Sequence, residues 1–256
     1  MPKAGEITYL QLAGEASIEH ATNKPFSDER CGQFLIALGA IRMRLPPPPA
    51  RLLDLGCGTG WTSCLFAKMG YEVVGQDIAP DMIHYANVNK QRYQTPNVRF
   101  TVCDYEDMQF ANEFDGAVFF DCLHHAEDER LALEMVYRAL RPGGICVTHE
   151  PGEGHGAAEL SRQVVQQFNV TEKDMPPHHI MALAREIGYR NYVCYPFPED
   201  VIERSMGSIT DAASKKTLPL SKRFFRFFRD RRKVQTRVGK LFEHAAHRGG
   251  LTVLTK

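Results

Sequence analysis

One tryptophan, no Cys-x-x-Cys pair, no surplus of either charge and no long apolar run mark this chain of 256 residues. Each absence excludes something. No stretch approaches the roughly 18 apolar residues of a membrane-spanning helix, and the start, Met1 to Glu6, is neither a signal h-region nor an Arg-rich transit peptide. A soluble, cytoplasmic protein without a transmembrane segment is expected. Seven cysteines, odd in number and lacking the usual thiol–metal spacing, read as reduced core thiols. Cys57, Cys103, Cys122 and Cys194 fall in or beside expected strands, where a thiol acts as a small hydrophobe. With 31 basic and 31 acidic residues there is no overall pull toward nucleic acid. No internal repeat is visible, and the length suits one α/β domain with additions.

What is present is an alternation. Residues 1–26 are mixed and read as irregular. A helix is expected from an N-cap at Ser27–Asp28 through residue 45, and Pro46 to Pro49 end it in a stiff connector. Strands are expected at 51–55, 71–76, 97–102, 114–120 and 144–149, with helices near 61–69, 80–91 and 128–140. Strands alternating with helices imply a parallel sheet covered on both faces. After a Gly-rich loop, Pro151 to Gly156, come helices around 157–168 and 178–187, a strand near 190–195 and a closing strand at 251–254.

Residues 51 to 60 are the most informative. The apolar run Leu52, Leu53, Leu55 leads into glycines at alternate positions, Gly56, Gly58 and Gly60, and then into a helix. Such a turn brings bare backbone to a nucleoside ligand at the strand's carboxyl end. A dinucleotide would set its pyrophosphate beside Asp54, which repels it, and would want a small residue where Trp61 stands. A ligand that is partly cationic welcomes the carboxylate. The spacing favours S-adenosylmethionine.

Five motifs follow in order: Asp54-Leu-Gly56-Cys-Gly58-Thr-Gly60; Asp77 in Val-Val-Gly-Gln-Asp-Ile; Asp104 in Phe-Thr-Val-Cys-Asp-Tyr; Phe114-Asp115 running to Asp121-Cys-Leu-His; and Leu140-Arg-Pro-Gly-Gly. Over about 50–150 the chain resembles the class I S-adenosylmethionine-dependent methyltransferases, of the methyltransferase type 11 kind. The resemblance implies an α/β, doubly wound, mostly parallel seven-stranded sheet with its last strand antiparallel. An N-terminal helical cap and linker (1–49) would precede the methyltransferase domain (50–256), which would carry a basic helical insertion at about 200–248. It also implies S-adenosyl-L-methionine as cofactor, leaving as S-adenosyl-L-homocysteine. Asp54, Gly56, Cys57, Gly58 and Gly60 would hold its methionine part and Asp77 its ribose hydroxyls. Ile78 would flank the adenine, Asp104 and Tyr105 would meet the adenine edge, and Asp121 and Leu123 would lie beside the transferable methyl.

Methyl transfer needs alignment and dryness more than acid–base help. Where the nucleophile carries a proton, His124 and His125 are the candidate bases, on the loop that faces the methyl in the family; one of them can equally serve only to tie its own loop. Glu150 and His155, in His149-Glu150-Pro-Gly-Glu153-Gly-His155, are candidates for a flexible substrate-binding loop. This run is not His-Glu-x-x-His on a helix, since Pro151, Gly152 and Gly154 forbid one, and no metal is expected.

Residues 215–240 hold eleven Lys or Arg and one acid, a local net of +10. On a helix, Phe224, Phe225, Phe227 and Phe228 would share a face spanning about 160°. The segment reads as an inserted amphipathic helix over the substrate side, as an arginine-lined anion site, or as an interfacial helix. The expected acceptor is a small molecule, including a phosphate-bearing or glycan one, with a saccharide-type hydroxyl ahead of amine or carbon. Nucleic acid is not expected, because no Asn-Pro-Pro-Tyr-like motif follows the fourth strand. An RNA or protein methyltransferase using the basic segment, and a non-catalytic binder of the same ligand, are the alternatives.

Overall fold

The computed structural model describes residues 3–213, 232 and 234–256. Three helices, α1 (Ala4–Ala13), α2 (Glu15–Asn23) and α3 (Cys31–Arg42), precede the first strand. There follow β1 (Arg51–Leu55), α4 (Trp61–Lys68), β2 (Glu72–Asp77), α5 (Pro80–Tyr93), β3 (Val98–Val102) and β4 (Phe114–Phe120). A 3-10 turn at Leu123–His125 leads to α6 (Glu129–Ala139) and β5 (Leu140–Glu150). Then come α7 (Glu159–Phe168), α8 (Pro177–Ile187), β6 (Asn191–Pro196), α9 (Pro198–Ala213) and β7 (Gly250–Thr255). The sheet is seven-stranded in the order β3-β2-β1-β4-β5-β7-β6. β7 runs antiparallel to both neighbours, and the other pairs are parallel. The expected α/β architecture is the observed one.

Successive residues of a strand face opposite sides of the sheet, and two cores result. Leu53, Leu55, Phe119, Cys146 and Leu254 pack with Leu133 and Val136 of α6 and Ile180 of α8. Leu52, Val73, Val118, Val147 and Leu251 pack with Phe34, Leu38 and Ile41 of α3 and with Trp61 and Phe66 of α4. Each such fully buried side chain contributes about 1.5–3 kcal/mol. Local signals set the helix ends: Asp128 caps α6 by accepting the Leu131 N–H at 2.9 Å. The order of strands reverses between β1 and β4, which opens a crevice at their carboxyl ends.

Residues 1–26 depart from expectation. Instead of irregular chain, α1 and α2 form, broken at Gly14. The anchors of α2 are polar, and α1 buries little more than Leu10, so no apolar stripe announces them. Thr59 Oγ1 donates to the Ala21 carbonyl at 2.6 Å, and Asn89 Nδ2 bridges the carbonyls of Thr22 and Thr59 at 3.0 and 2.9 Å. Tyr9 meets Phe168 edge-on at 4.9 Å between centroids. The strand expected at 144–149 begins earlier, at Leu140, and takes in the Arg-Pro-Gly-Gly run.

No described helix is long and apolar enough to cross a membrane. The phenylalanine–arginine run expected as an amphipathic helix, 218–231, lies outside the described residues; 234–243 is helical. A surface depression of about 710 Å³ between α2 and α5, lined by His20, Asn23, Arg92 and Tyr93 among others, shares no residue with the crevice motifs.

Candidate active site

The turn after β1 is stitched to β2: the Cys57 N–H donates to the Gln76 carbonyl at 2.9 Å and the Gly60 N–H to the Cys57 carbonyl at 2.8 Å. All three glycines have positive φ, and they do different things. A Cβ on Gly60 would lie 2.5 Å from the Phe100 ring and 2.9 Å from Ala86, and one on Gly56 would lie 2.8 Å from Cys122 Cβ. A Cβ on Gly58 would meet nothing within 4 Å. Gly56 and Gly60 therefore let the turn pack, and Gly58 alone of the three presents bare main chain to open space.

Two carboxylates stand behind that turn. Asp77, 9% exposed at the end of β2, accepts the Gly58 N–H on Oδ2 at 2.8 Å and the Ala79 N–H on Oδ1 at 2.9 Å. Burial raises its pKa against the pull of those two donors. Asp54, 1% exposed, accepts the hydroxyls of Thr62 and Ser63 on Oδ2 at 2.6 and 2.5 Å. Its Oδ1 is buried with no partner among the described residues. Burial lifts Asp54 to about 6, outweighing the two hydroxyls. At the end of β3, Asp104 is paired with Lys3 and accepts the Glu106 N–H at 2.9 Å, while Lys3 also reaches Glu106 at 2.9 Å. The Tyr105 hydroxyl donates to the Cys122 carbonyl at 3.2 Å, and its ring sits edge-on to Phe119. Ile78 is half-buried next to Asp77.

The far side of the crevice is organised by Glu150, the last residue of β5 and 1% exposed. Its Oε1 accepts the N–H groups of Cys122 and Leu123 at 3.1 and 2.8 Å. Its Oε2 accepts the His124 N–H at 3.3 Å and hydrogen-bonds His124 Nδ1 at 2.7 Å. The 3-10 turn after β4 thus closes on a buried carboxylate, with His124 fixed in its ring orientation. Burial alone would lower the His124 pKa; the Glu150 hydrogen bond and charge override it and raise it to about 9. His124 Nε2 faces Glu172 Oε2 at 3.6 Å, and His155 Nε2 hydrogen-bonds the same oxygen at 2.7 Å. Burial works against ionisation of Glu172, yet the His155 hydrogen bond and the surrounding imidazoles hold it below the usual carboxylate range. His125 stacks obliquely on His124, 4.1 Å between centroids, with Nδ1 bonded to the Thr171 carbonyl at 2.6 Å. Asp121 sits exposed at the crevice with φ +56, a conformation that aspartate tolerates better than most residues.

With this geometry in place, comparison with known proteins is decisive for the central stretch: residues 53–148 match the family model described as a methyltransferase domain. That stretch is a methyltransferase domain. A ubiquinone/menaquinone biosynthesis C-methyltransferase of Desulfotalea psychrophila is 30% identical over 145 residues, 56% of this chain and 56% of that protein. A ubiquinone biosynthesis O-methyltransferase of Xanthomonas axonopodis pv. citri is 31% identical over 111 residues, 43% of this chain and 46% of its own. The chain spans about half the length of the curated relatives it matches. Among solved structures, phosphoethanolamine N-methyltransferase 2 of Haemonchus contortus, in complex with S-adenosyl-L-methionine, superposes with a TM-score of 0.57 at 22% identity. The match covers 86% of this chain and 51% of that one, and it establishes the shared fold.

The residues singled out from sequence fall into two groups. Asp54, Gly56, Gly58, Gly60 and Asp77 gather at the glycine turn; Asp104 and Tyr105 stand at the end of β3, Tyr105 reaching across to Cys122. His124, Glu150 and His155 meet across the crevice. Two differ from expectation. Glu150 belongs to no flexible loop: it ends a strand, and its four bonds go to the post-β4 turn, because a buried carboxylate needs that many donors. The Leu123 side chain is fully buried in the core, leaving only main chain for the crevice. Cys57 is the core thiol the sequence suggests, 4% exposed, and burial raises its thiol pKa, as it does for Cys122 and Cys146. Glu172 was not anticipated. It lies in a stretch without regular structure, distant in sequence from every partner, and carries no local signal. Lys3 and Glu6, which reach the site from α1 and its cap, are likewise distant in sequence from their partners.

Proposed function

We propose that the chain is an S-adenosylmethionine-dependent methyltransferase that acts on a small-molecule or saccharide-type acceptor, with oxygen as the preferred nucleophile. The observation that carries the reading is the acidic cradle: Gly58 opens bare main chain to the crevice while Asp77 and Asp54 stand buried behind it. Two carboxylates would repel a pyrophosphate and attract a sulfonium and an ammonium. The unpartnered Oδ1 of Asp54 supports the fit, since a buried acceptor without a donor is costly and a cationic ligand or its water supplies one. In this reading Asp77 takes the ribose hydroxyls on its remaining lone pairs, with Ile78 against the adenine. Asp104 and Tyr105 border the base, and the main chain of Gly56–Gly60, Asp121 and Leu123 lines the methionine side.

When bound, S-adenosylmethionine supplies a methyl whose bond to sulfur breaks with its electron pair going to sulfur, as an acceptor lone pair forms the new bond and S-adenosylhomocysteine remains. The chain's own residues position the acceptor. His124, held by Glu150, forms with His155 and Glu172 a polar wall for the acceptor hydroxyl, and His125 lies beside the point where its proton departs. Helices α1 and α2 act as a cap that excludes water, and a cytoplasmic setting goes with a small acceptor. Relatives similar to this chain are named both for C- and for O-methylation, and in this reading the choice of atom falls to the wall rather than to the cradle.

Calorimetry with S-adenosylmethionine, followed by mass spectrometry of reactions with phenols, sugars and amines, tests the proposal. Donor binding and methyl gain on oxygen are expected. Failure to bind the donor overturns the reading, and methylation of amines alone overturns its oxygen preference.

A further inference from the structure

We propose that His124, His155 and Glu172 bind one divalent first-row transition-metal ion, of the zinc class, with an open coordination position toward the crevice for the acceptor oxygen. The role of that open position rests on the methyl-transfer reading; the binding of the ion does not. The expectation of no metal came from rejecting a local His-Glu-x-x-His helix, and these three residues are far apart in sequence.

Their ligand atoms all lie within 4.8 Å of one another. Both imidazoles direct Nε2 at one oxygen, Glu172 Oε2, from 3.6 and 2.7 Å. Neighbouring ligands around tetrahedral zinc stand roughly 3.3 Å apart, so the first distance fits and the second opens by about half an ångström when an ion displaces the hydrogen bond. Two imidazoles and one carboxylate suit zinc or ferrous iron, whereas magnesium and calcium prefer oxygen sets.

The surroundings supply what such sites need beyond their ligands. A metal-bound imidazole is normally oriented by a carboxylate on its other nitrogen. Glu150 does this for His124 Nδ1 at 2.7 Å and is itself anchored by three main-chain N–H groups. The ligand-bearing segments are also fastened to one another. Asp174 accepts the N–H groups of Gly154 and Gly156 at 2.9 and 2.8 Å, tying the His155 loop to the Glu172 segment. The Lys173 N–H donates to the His124 carbonyl at 3.2 Å, tying that segment to the post-β4 turn. These bonds hold the three pieces of chain in register, and the side chains of His124, Glu172 and His155 are 4, 11 and 29% exposed.

A second group, Glu153, His178 and His247, is exposed throughout and serves as an internal control. An ion in the buried site would polarise the acceptor hydroxyl, whose proton leaves to water before the oxygen attacks.

The test uses the full chain, stripped with a chelator, re-equilibrated with zinc and analysed for bound metal, with affinity read by competition against a chromophoric chelator. Cobalt substitution gives an absorption spectrum that reports imidazole ligation. One zinc per chain is expected. His155→Ala and Glu172→Gln should each weaken binding by more than about 100-fold, beyond the 10–100-fold typical of an orienting partner. His178→Ala and His247→Ala should leave the stoichiometry and the cobalt spectrum unchanged. No retained zinc, or zinc lost with His247→Ala and kept with His155→Ala, overturns the proposal. Donor calorimetry on the same samples separates the two readings: donor binding without zinc sinks the metal site alone, and zinc without donor binding sinks the methyltransferase reading alone.

Discussion

At the carboxyl ends of β1 and β2 the crevice is shaped by main chain, with Gly58 bare to open space, Gly60 wedged against Phe100 and Asp77 gripping two N–H groups. At the ends of β4 and β5 it is shaped by side chains, His124 fixed by the buried carboxylate of Glu150, with Glu172 and His155 facing it. A surface made of backbone tolerates little substitution and suits a ligand that stays the same. A surface made of side chains can be retuned residue by residue and suits a ligand that varies. Similarity both to a relative named for C-methylation and to one named for O-methylation fits that division of labour.

The sharpest way to break the comparison is Glu150→Ala. Three N–H groups and a buried imidazole lose their acceptor, and the fold should lose about 3–5 kcal/mol in urea denaturation. A loss below about 1 kcal/mol would show that the side-chain half does not stand on this residue. Next is a paired test of the glycines. Gly60→Ala should cost about 2–4 kcal/mol of stability, from positive-φ strain and collision with Phe100. Gly58→Ala should cost only the strain, about 1–2 kcal/mol, while weakening donor binding. Equal stability losses would remove the distinction between packing glycine and ligand-facing glycine. Third, Asp77→Ala should weaken S-adenosylmethionine about 100-fold in calorimetry, the worth of hydrogen bonds to a charged group; an unchanged affinity ends the ribose assignment.

The smallest effect concerns pH. Asp54 titrates at about 6 in the fold against 3.8 when unfolded, so between those values the folded state holds the extra proton. The stabilisation is complete below 3.8 and is lost as pH rises through 6, with about 1.4 kcal/mol disappearing between pH 5 and pH 8. Asp54→Asn should flatten that slope in thermal melts at the two pH values while reducing donor affinity. A slope that persists in the variant would place its origin elsewhere.

The readable parts of the molecule were those whose causes are local. An apolar run closing on spaced glycines announces a strand and a nucleoside turn, and an acid at the tip of the next strand falls at fixed distance from it. The strand order and the antiparallel last strand followed from the family resemblance. What stayed hidden was set by distant partners. Glu150 looked like part of a loop because its four donors come from residues 122–124, on another strand's far end. Glu172 gave no sign, since only folding brings it between two histidines. Helix α2 lacks a buried stripe because polar bonds from Thr59 and Asn89 hold it, and α1 turns only Leu10 and the Tyr9 ring to distant partners.

Lys3 clasps Asp104 and Glu106, the same rim where an adenine would rest. One carboxylate thereby has two claimants, the leading helix and the nucleoside. If the nucleoside binds there as proposed, each would weaken the other's hold, and release of the spent donor would be coupled to the Lys3 contact.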